Sequence, residues 1–404
     1  MATHHNGDLP DVYANAIGAM IEYRTPVYKG FQFGLSGLFS FNTFSTDFSR
    51  DGVITTNAVP YELELFDLED PFNKHDLDRL DELFISYKRG SSKISYGRQC
   101  VNTPLVNQRD TRMKPYSLQG LWLELNEWEP LKIQLGWFDR ISPRSTVEWY
   151  KMEDAIGIFP QGFDAEGKEA HYHGKINTSG LGIAGLVLDV NPYIKVSAWD
   201  YLLASMLNTN LLQVDLKSSV NEKYVFGGLA YLGQQGLSNT AYLPKTHRSE
   251  LYSLQFGWHT KKSTISAAFT HVTDKGMLLF PRELGRMQLY TTILRGRIEG
   301  LGDTDNLVLS FSHRLSDRMG CHVDVARFNT PSTDNYELNK YKKASSNQLN
   351  LGWDYHFKGI LEGVDLQVLY THKYAYEEDV QHDADALYYH ADFQHISIIS
   401  NIKF

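Results

Sequence analysis

The feature that most constrains the fold is strict alternation of apolar and polar residues over many short segments. Over residues 31–41 the odd positions carry Phe31, Phe33, Leu35, Gly37, Phe39 and Phe41, against Gln32, Gly34, Ser36, Leu38 and Ser40 on the even ones. Successive side chains of a strand point to opposite faces, so a period of two predicts sheet with one greasy face and one wet face. The pattern sets Leu121, Leu123 and Leu125 against Trp122 and Glu124, and returns at 131–137, 252–259, 349–356 and 364–371. No run approaches the roughly 18 to 20 apolar residues that a helical span needs; the longest, near 181–188, is far shorter. Helical membrane proteins are excluded.

Alternation alone suits either a soluble sandwich, with its apolar face inside, or a membrane barrel, with its apolar face outside. Three features favour the barrel. The polar positions are rich in Gly, Ser, Asn and Gln, as the wall of a water-filled lumen is. Aromatic residues make up 13% of the chain, and Tyr13 and Tyr23 bracket one segment as interfacial girdles do. Finally, the connections largely alternate between short and long. Strands are predicted at about 13–24, 30–42, 81–89, 92–98, 117–126, 131–139, 178–190, 192–200, 209–217, 222–232, 249–260, 262–272, 305–315, 319–328, 346–357, 363–374 and 391–404. Tight connections include 25–29, 261 and 316–318; long ones include 43–80, 99–116, 140–177, 233–248, 273–304, 329–345 and 375–390. The expected fold is therefore all-β: one transmembrane antiparallel up-and-down β-barrel over 1–404, with short periplasmic turns and long extracellular loops.

Seventeen strands cannot close with both termini on one side, so about eighteen are expected. The missing first strand is placed upstream of Met1, with residues 1–4 as its end; the alternative is a hairpin miscounted between 170 and 232. The N-terminus does not read as a signal peptide, so the barrel reading requires a processed chain. The net charge of −9 comes largely from loops such as 66–82, and no basic tail suggests a nucleic-acid partner. Cys100 and Cys321 fall at opposite ends of their strands and are expected not to pair.

The stretch from Gly97 to Gly120 is polar, turn-rich and basic between two alternating segments. It is expected to fold into the lumen and make the narrowest point. Arg109, Arg112 and Lys114 are the first candidates there, with Asp110 opposing them. Arg98 shares the parity of Ile94 and Tyr96, which aims it at the rim unless the strand bulges. Arg suits carboxylates because its planar fork donates two parallel hydrogen bonds. A second cluster, Arg282, Arg286, Tyr290, Arg295 and Arg297, lies in the long 273–304 connection and is a candidate for the opposite wall. For both clusters the bland alternative is a solvated surface loop.

Acidic residues at 67–82 lack the spacing of a calcium loop, and His171 and His173 have no third ligand nearby, so no metal or cofactor is expected. No Gly-x-Ser-x-Gly elbow, His-Glu-x-x-His helix or phosphate-cradling loop appears. An enzyme is not expected, although a barrel hydrolase acting on phospholipid and a soluble β-rich carbohydrate binder remain alternatives.

Five short pieces carry a family resemblance: Tyr13-Ala14-Asn15-Ala16, Lys29 to Gly34, Asn102-Thr103-Pro104, the 110–115 run before Gly120, and the RIEGLGD run from Arg297 to Asp303. In their order they resemble the OprD-type outer-membrane porins, particularly versions found in Bacteroidetes. The resemblance implies an eighteen-stranded pore in the Gram-negative outer membrane, with a constriction loop after the fifth strand. It also implies a ladder of basic side chains guiding carboxylate-bearing solutes. Expected partners are outer-membrane lipid and lipopolysaccharide and small anionic or zwitterionic solutes. The insertion machinery would read the terminal Phe404, and the assembly would be a monomer or loose trimer.

Overall fold

The computed structural model describes residues 1–5, 10–50, 53–55, 58–109, 112–375 and 392–403. Its strands are β1 (Ala2–His5), β2 (Val12–Arg24), β3 (Phe31–Ser45), β4 (Arg79–Arg89), β5 (Ser92–Gln99) and β6 (Ser117–Trp128). They continue with β7 (Leu131–Ser142), β8 (Tyr150–Lys151), β9 (Leu181–Asn191), β10 (Ile194–Leu203), β11 (Leu207–Lys217) and β12 (Tyr224–Gly236). The rest are β13 (Arg248–His259), β14 (Ser263–Val272), β15 (Thr304–Arg314), β16 (Met319–Asn329), β17 (Ser346–His356), β18 (Val364–Ala375) and β19 (Phe393–Ile402). The two-residue β8 touches only the end of β7, and β7 pairs directly with β9 from Leu131↔Leu188 to Phe138↔Leu181. The other eighteen form one antiparallel sheet that closes on itself.

Closure runs through the shortest of these eighteen strands. β1 pairs with β19 from Ala2↔Ile396 to His5↔Phe393, and with β2 at Ala2↔Tyr13 and Thr3↔Val12. The expected first strand thus ends within residues 2–5, one position beyond the 1–4 anticipated. Four residues are too few to show a period, which is why its extent was not readable.

The apolar face is outside. On β13, Leu254 is 45% exposed and Phe256 63%, while the preceding Ser253, on the opposite parity, is fully buried. Phe31, Phe33, Leu35, Phe39 and Phe41 likewise stand on the outer surface. Exposed aromatics cluster at both strand ends, with Tyr13, Phe44 and Tyr374 near the long loops and Tyr23, Phe31, Trp128, Tyr193 and Trp258 near the short turns. A barrel in water would leave all this surface uncovered; in a bilayer, lipid covers it.

What fills the barrel is loop. The 100–116 loop, which follows the fifth strand, packs Leu105 and Val106 into one apolar cluster with Tyr201 from the wall and Phe280 and Leu284 from the 273–303 loop. Burying a leucine such as Leu105 completely contributes roughly 1.5–3 kcal/mol, so a few such contacts hold the loops inside. Backbone contacts fix the pairing. Asn107 Nδ2 donates to the Arg286 carbonyl at 2.8 Å, the Gln288 amide to Pro104 at 2.9 Å, and Tyr116 Oη to Arg282 at 3.1 Å. Gly285 has φ +140°, and a Cβ there would lie 3.1 Å from the Asn107 nitrogen, so this close approach requires glycine.

Candidate functional site

The inward-folded loops converge on one small space. Its lining includes Arg112 from the 100–116 loop and Arg144 from the 143–180 connection. Arg282, Arg286, Arg295 and Arg297 come from the 273–303 loop, Lys343 from the 330–345 loop and Lys373 from β18. The space measures about 80 Å³, and Glu64 is the one carboxylate that lines it among the described residues. Tyr61, Phe159, Val59 and Pro160 complete the wall.

Six of the cations have identifiable neighbours. Glu64 Oε2 bridges Arg112 at 2.8 Å and Arg144 at 3.0 Å. The Arg282 guanidinium donates to Glu299 at 2.9 Å and lies 3.7 Å above the Tyr341 ring. Arg295 stacks 3.9 Å over Tyr61, and its Nη2 meets His395 Nε2 at 2.8 Å. Lys343 Nζ donates to the carbonyls of Glu299 at 2.5 Å and Arg297 at 3.3 Å. Lys373 lies 4.8 Å over Phe328. Aromatic faces therefore carry several of the charges, leaving the guanidinium edges to donate.

Burial first, and like charge after it, disfavours the charged form of the loop cations. Burial, then the nearby Arg144 and Arg282, lowers the affinity of Arg297 for its proton. Burial, with Arg282 next, pushes Lys343 well below its ordinary value. Burial pushes the Glu299 carboxyl up, but Arg282, Lys343 and Arg297 together outweigh it and hold the group below the usual carboxylate range. Glu62 and Glu283, set back from the opening, are pushed up by burial.

The candidate residues of the sequence are divided by the structure. Arg112, Arg282, Arg286, Arg295 and Arg297 are brought together. Lys114 is not: only 1% exposed, it points away from the opening and donates to the Phe66 carbonyl at 2.9 Å, tying one loop to another. Burial pushes its ammonium down to about 7. Arg109 does not line the space: it is exposed, with Nη1 donating to Gln288 Oε1 at 2.8 Å. Arg98 is on the outer face, paired across from Leu83, 4.6 Å from the Trp149 ring, because no register shift interrupts β5. Tyr290 reaches the wall instead, donating to Asp215 at 2.7 Å. Asp110 and Phe404 lie outside the described residues.

Sequence reasoning missed Arg144, Lys343, Lys373, Glu64 and Tyr61. Lys373 was findable, since it shares the inward parity of Gln367 and Thr371 on β18. The loop residues carried no periodic signal. His171 and His173 have different partners, Glu169 at 3.9 Å and the Asp154 carbonyl at 3.1 Å, and no metal-binding group forms among the described residues.

A family model described as "outer membrane porin, OprD family" matches residues 69–297, more than half of the chain. The chain belongs to the OprD family. This places the OprD-family barrel in the Gram-negative outer membrane as a porin, with its long loops outside the cell and its short turns in the periplasm. No curated protein matches the chain by sequence. Solved OprD-type porins share its fold. Acinetobacter baumannii OccAB4 is 14% identical, with TM-score 0.75 over 99% of this chain and 94% of its own. Pseudomonas aeruginosa OpdK, solved with vanillate, is 12% identical, with TM-score 0.73 over 98% and 93%. Pseudomonas aeruginosa OccD3 (OpdP) is 13% identical, with TM-score 0.72 over 99% and 88%.

Proposed function

We propose that this porin passes small carboxylate-bearing solutes selectively, and that its filter is the ring of Arg112, Arg144, Arg282, Arg286, Arg295, Arg297, Lys343 and Lys373. The observation that carries the reading is the convergence of eight cationic side chains, from four loops and the wall, on an opening that one carboxylate lines among the described residues. A low-dielectric wall focuses such a field, so anions are concentrated at the entrance and cations are turned away. Guanidinium edges offer paired donors to a planar carboxylate, and the aromatic neighbours Tyr61 and Phe159 offer its apolar part a surface. Footholds divided among four loops and the wall suit a solute that is handed on rather than trapped. Vanillate, present in the OpdK structure, is a solute of this class.

The test is liposome swelling across a panel of neutral, cationic and carboxylate solutes of matched size, with Arg112→Ala alongside the parent. Faster swelling with carboxylates, reduced in the variant, is expected. An anion preference equal in both proteins would remove Arg112 from the filter, and no preference in the parent would end the proposal.

A further inference from the structure

One stretch of the barrel's outer face gathers cations where its strands end on the side of the long loops. Arg98, next to last in β5, has the outward parity of the exposed Ile94 and Tyr96. Backbone register continues from it across three strands: Arg98 pairs with Gln119 on β6, Gln119 with Arg140 on β7, and Arg140 with Lys151 on β8. Residues opposite one another in a ladder share a face, so these four form one outward row. Arg140 joins it only through a bulge. By parity it belongs with the fully buried Phe138, but the register shifts between Gln119 and Gly120, setting Phe138 opposite Gly120 and Arg140 opposite Gln119. The extra residue turns Arg140 outward. Arg140 and Lys151 then stand directly opposite each other, an arrangement of like charge that destabilises a sheet, and Arg98 is near enough to Arg140 to be repelled by it.

The level of this row is set by the one beneath it. The next outward row toward the periplasm is Tyr96, Leu121 and Trp137, opposite one another and all exposed. Exposed aromatic residues of a barrel mark the edge of the hydrocarbon. The cations stand one row beyond that edge, roughly 7 Å by the rise of two strand residues, at the depth of lipid headgroups. Their donors are oriented. Arg98 Nε donates to Gln119 Oε1 at 3.3 Å, which turns the guanidinium toward β6. Its central carbon lies 4.6 Å over the Trp149 ring, which is fixed in turn by Nε1 donating to the Leu80 carbonyl at 3.0 Å. Neither Arg98 nor Arg140 makes an ion pair among the described residues, and Lys151 lies 3.9 Å from Glu153. Asp139, the extra residue of the bulge, is exposed beside them.

We propose that this row is a lipid site of the outer leaflet, in which Arg98 and Arg140 hold a phosphate of lipid A across Gln119 while its acyl chains cover Tyr96, Leu121 and Trp137. The backbones of the two arginines are two strand spacings apart, roughly 10 Å, which two long side chains bridge by converging on one phosphate. The planar fork of arginine matches phosphate oxygens with paired donors. A lipid also supplies what free phosphate lacks, an apolar part for the row beneath. The row lies outside the lumen, so the inference stands apart from the anion filter.

The folded full-length porin, in a neutral detergent, is titrated with lipid A and with lipid A stripped of its phosphates, and bound lipid is counted by native mass spectrometry. EDTA is present throughout, so that no divalent cation bridges Asp139 to the lipid. The phosphorylated form should bind more tightly by roughly ten-fold or more, as two charge-assisted contacts imply. Arg98→Gln combined with Arg140→Gln should abolish that difference while leaving binding of the stripped lipid, and the resistance of the barrel to unfolding on gels, as in the parent. Asp139→Asn, which alters neither arginine, should widen the difference, and a narrowing would count against the site. Millimolar inorganic phosphate should leave lipid A bound; its displacement would overturn the lipid as the occupant. Equal binding of the two lipids by the parent, or a preference for phosphate that survives the double substitution, would overturn the proposal.

Discussion

Replacing Glu64 by glutamine isolates the electrostatics of the filter from its shape. The side chain keeps its length and one acceptor oxygen, and its backbone carbonyl still accepts from Ser145 Oγ at 2.6 Å. Arg112 and Arg144 lose the shared carboxylate but keep their aromatic neighbours, Tyr61 at 5.7 Å and Phe159 at 5.2 Å. The change removes one negative charge from the lining. A solute charge crossing roughly 10 Å away, at an effective dielectric constant of about 20, feels a change of roughly 1.7 kcal/mol. Screening by lumen water and salt reduces this to about 1 kcal/mol, a factor of roughly five in anion occupancy. Reversal potentials in a potassium chloride gradient should therefore shift toward greater chloride preference, most strongly at low salt. An unchanged or weakened chloride preference, with the barrel intact by its resistance to unfolding in detergent, would refute the assignment of Glu64 as the negative pole of the filter.

Three further outcomes are expected. Arg79 is buried, pairs with Asp81 at 2.5 Å and donates to Ser142, Pro143, Thr146 and Pro115; Arg79→Met leaves that carboxylate uncompensated, at a cost of about 3–5 kcal/mol, read as a lower temperature of barrel unfolding on gels. Lys114 releases its proton near pH 7 when folded, whereas the unfolded chain holds it to the ordinary value of 10.5; the unfolded chain binds more protons in that window, so stability should rise with pH from 7 toward 10, and Lys114→Met should diminish the rise measured by denaturant midpoints. Cys100 and Cys321 are free, and burial pushes the Cys100 thiol up to about 12; a thiol-reactive probe at pH 8 should therefore react slowly at Cys100, and a mild oxidant should produce no band shifted by an internal disulfide.

The wall of this protein was legible residue by residue because a barrel writes its two faces into the parity of every strand. The outward Phe31–Phe41 series, the inward Lys373 and the outward Arg98 all follow from counting by twos. The filter was legible only as a list of basic loops. Arg112 and Lys114 are two residues apart in one loop, yet one lines the opening and the other is packed beneath it against Phe66. No local rule separates them, because what decides is where the 46–78 and 143–180 segments come to rest. Arg144 and Glu64 belong to those segments, and their pairing across 80 positions had no trace in either neighbourhood.

Thr3, Glu62, Arg295 and His395 come from the opening strand, the 46–78 loop, the 273–303 loop and the closing strand, and they meet at one point. Closing the cylinder and fixing the aim of Arg295 are thus coupled. A chain whose first and last strands have not met lacks the acceptor that aims Arg295, so under the proposed anion filter it should pass solutes less selectively until its seam is sealed.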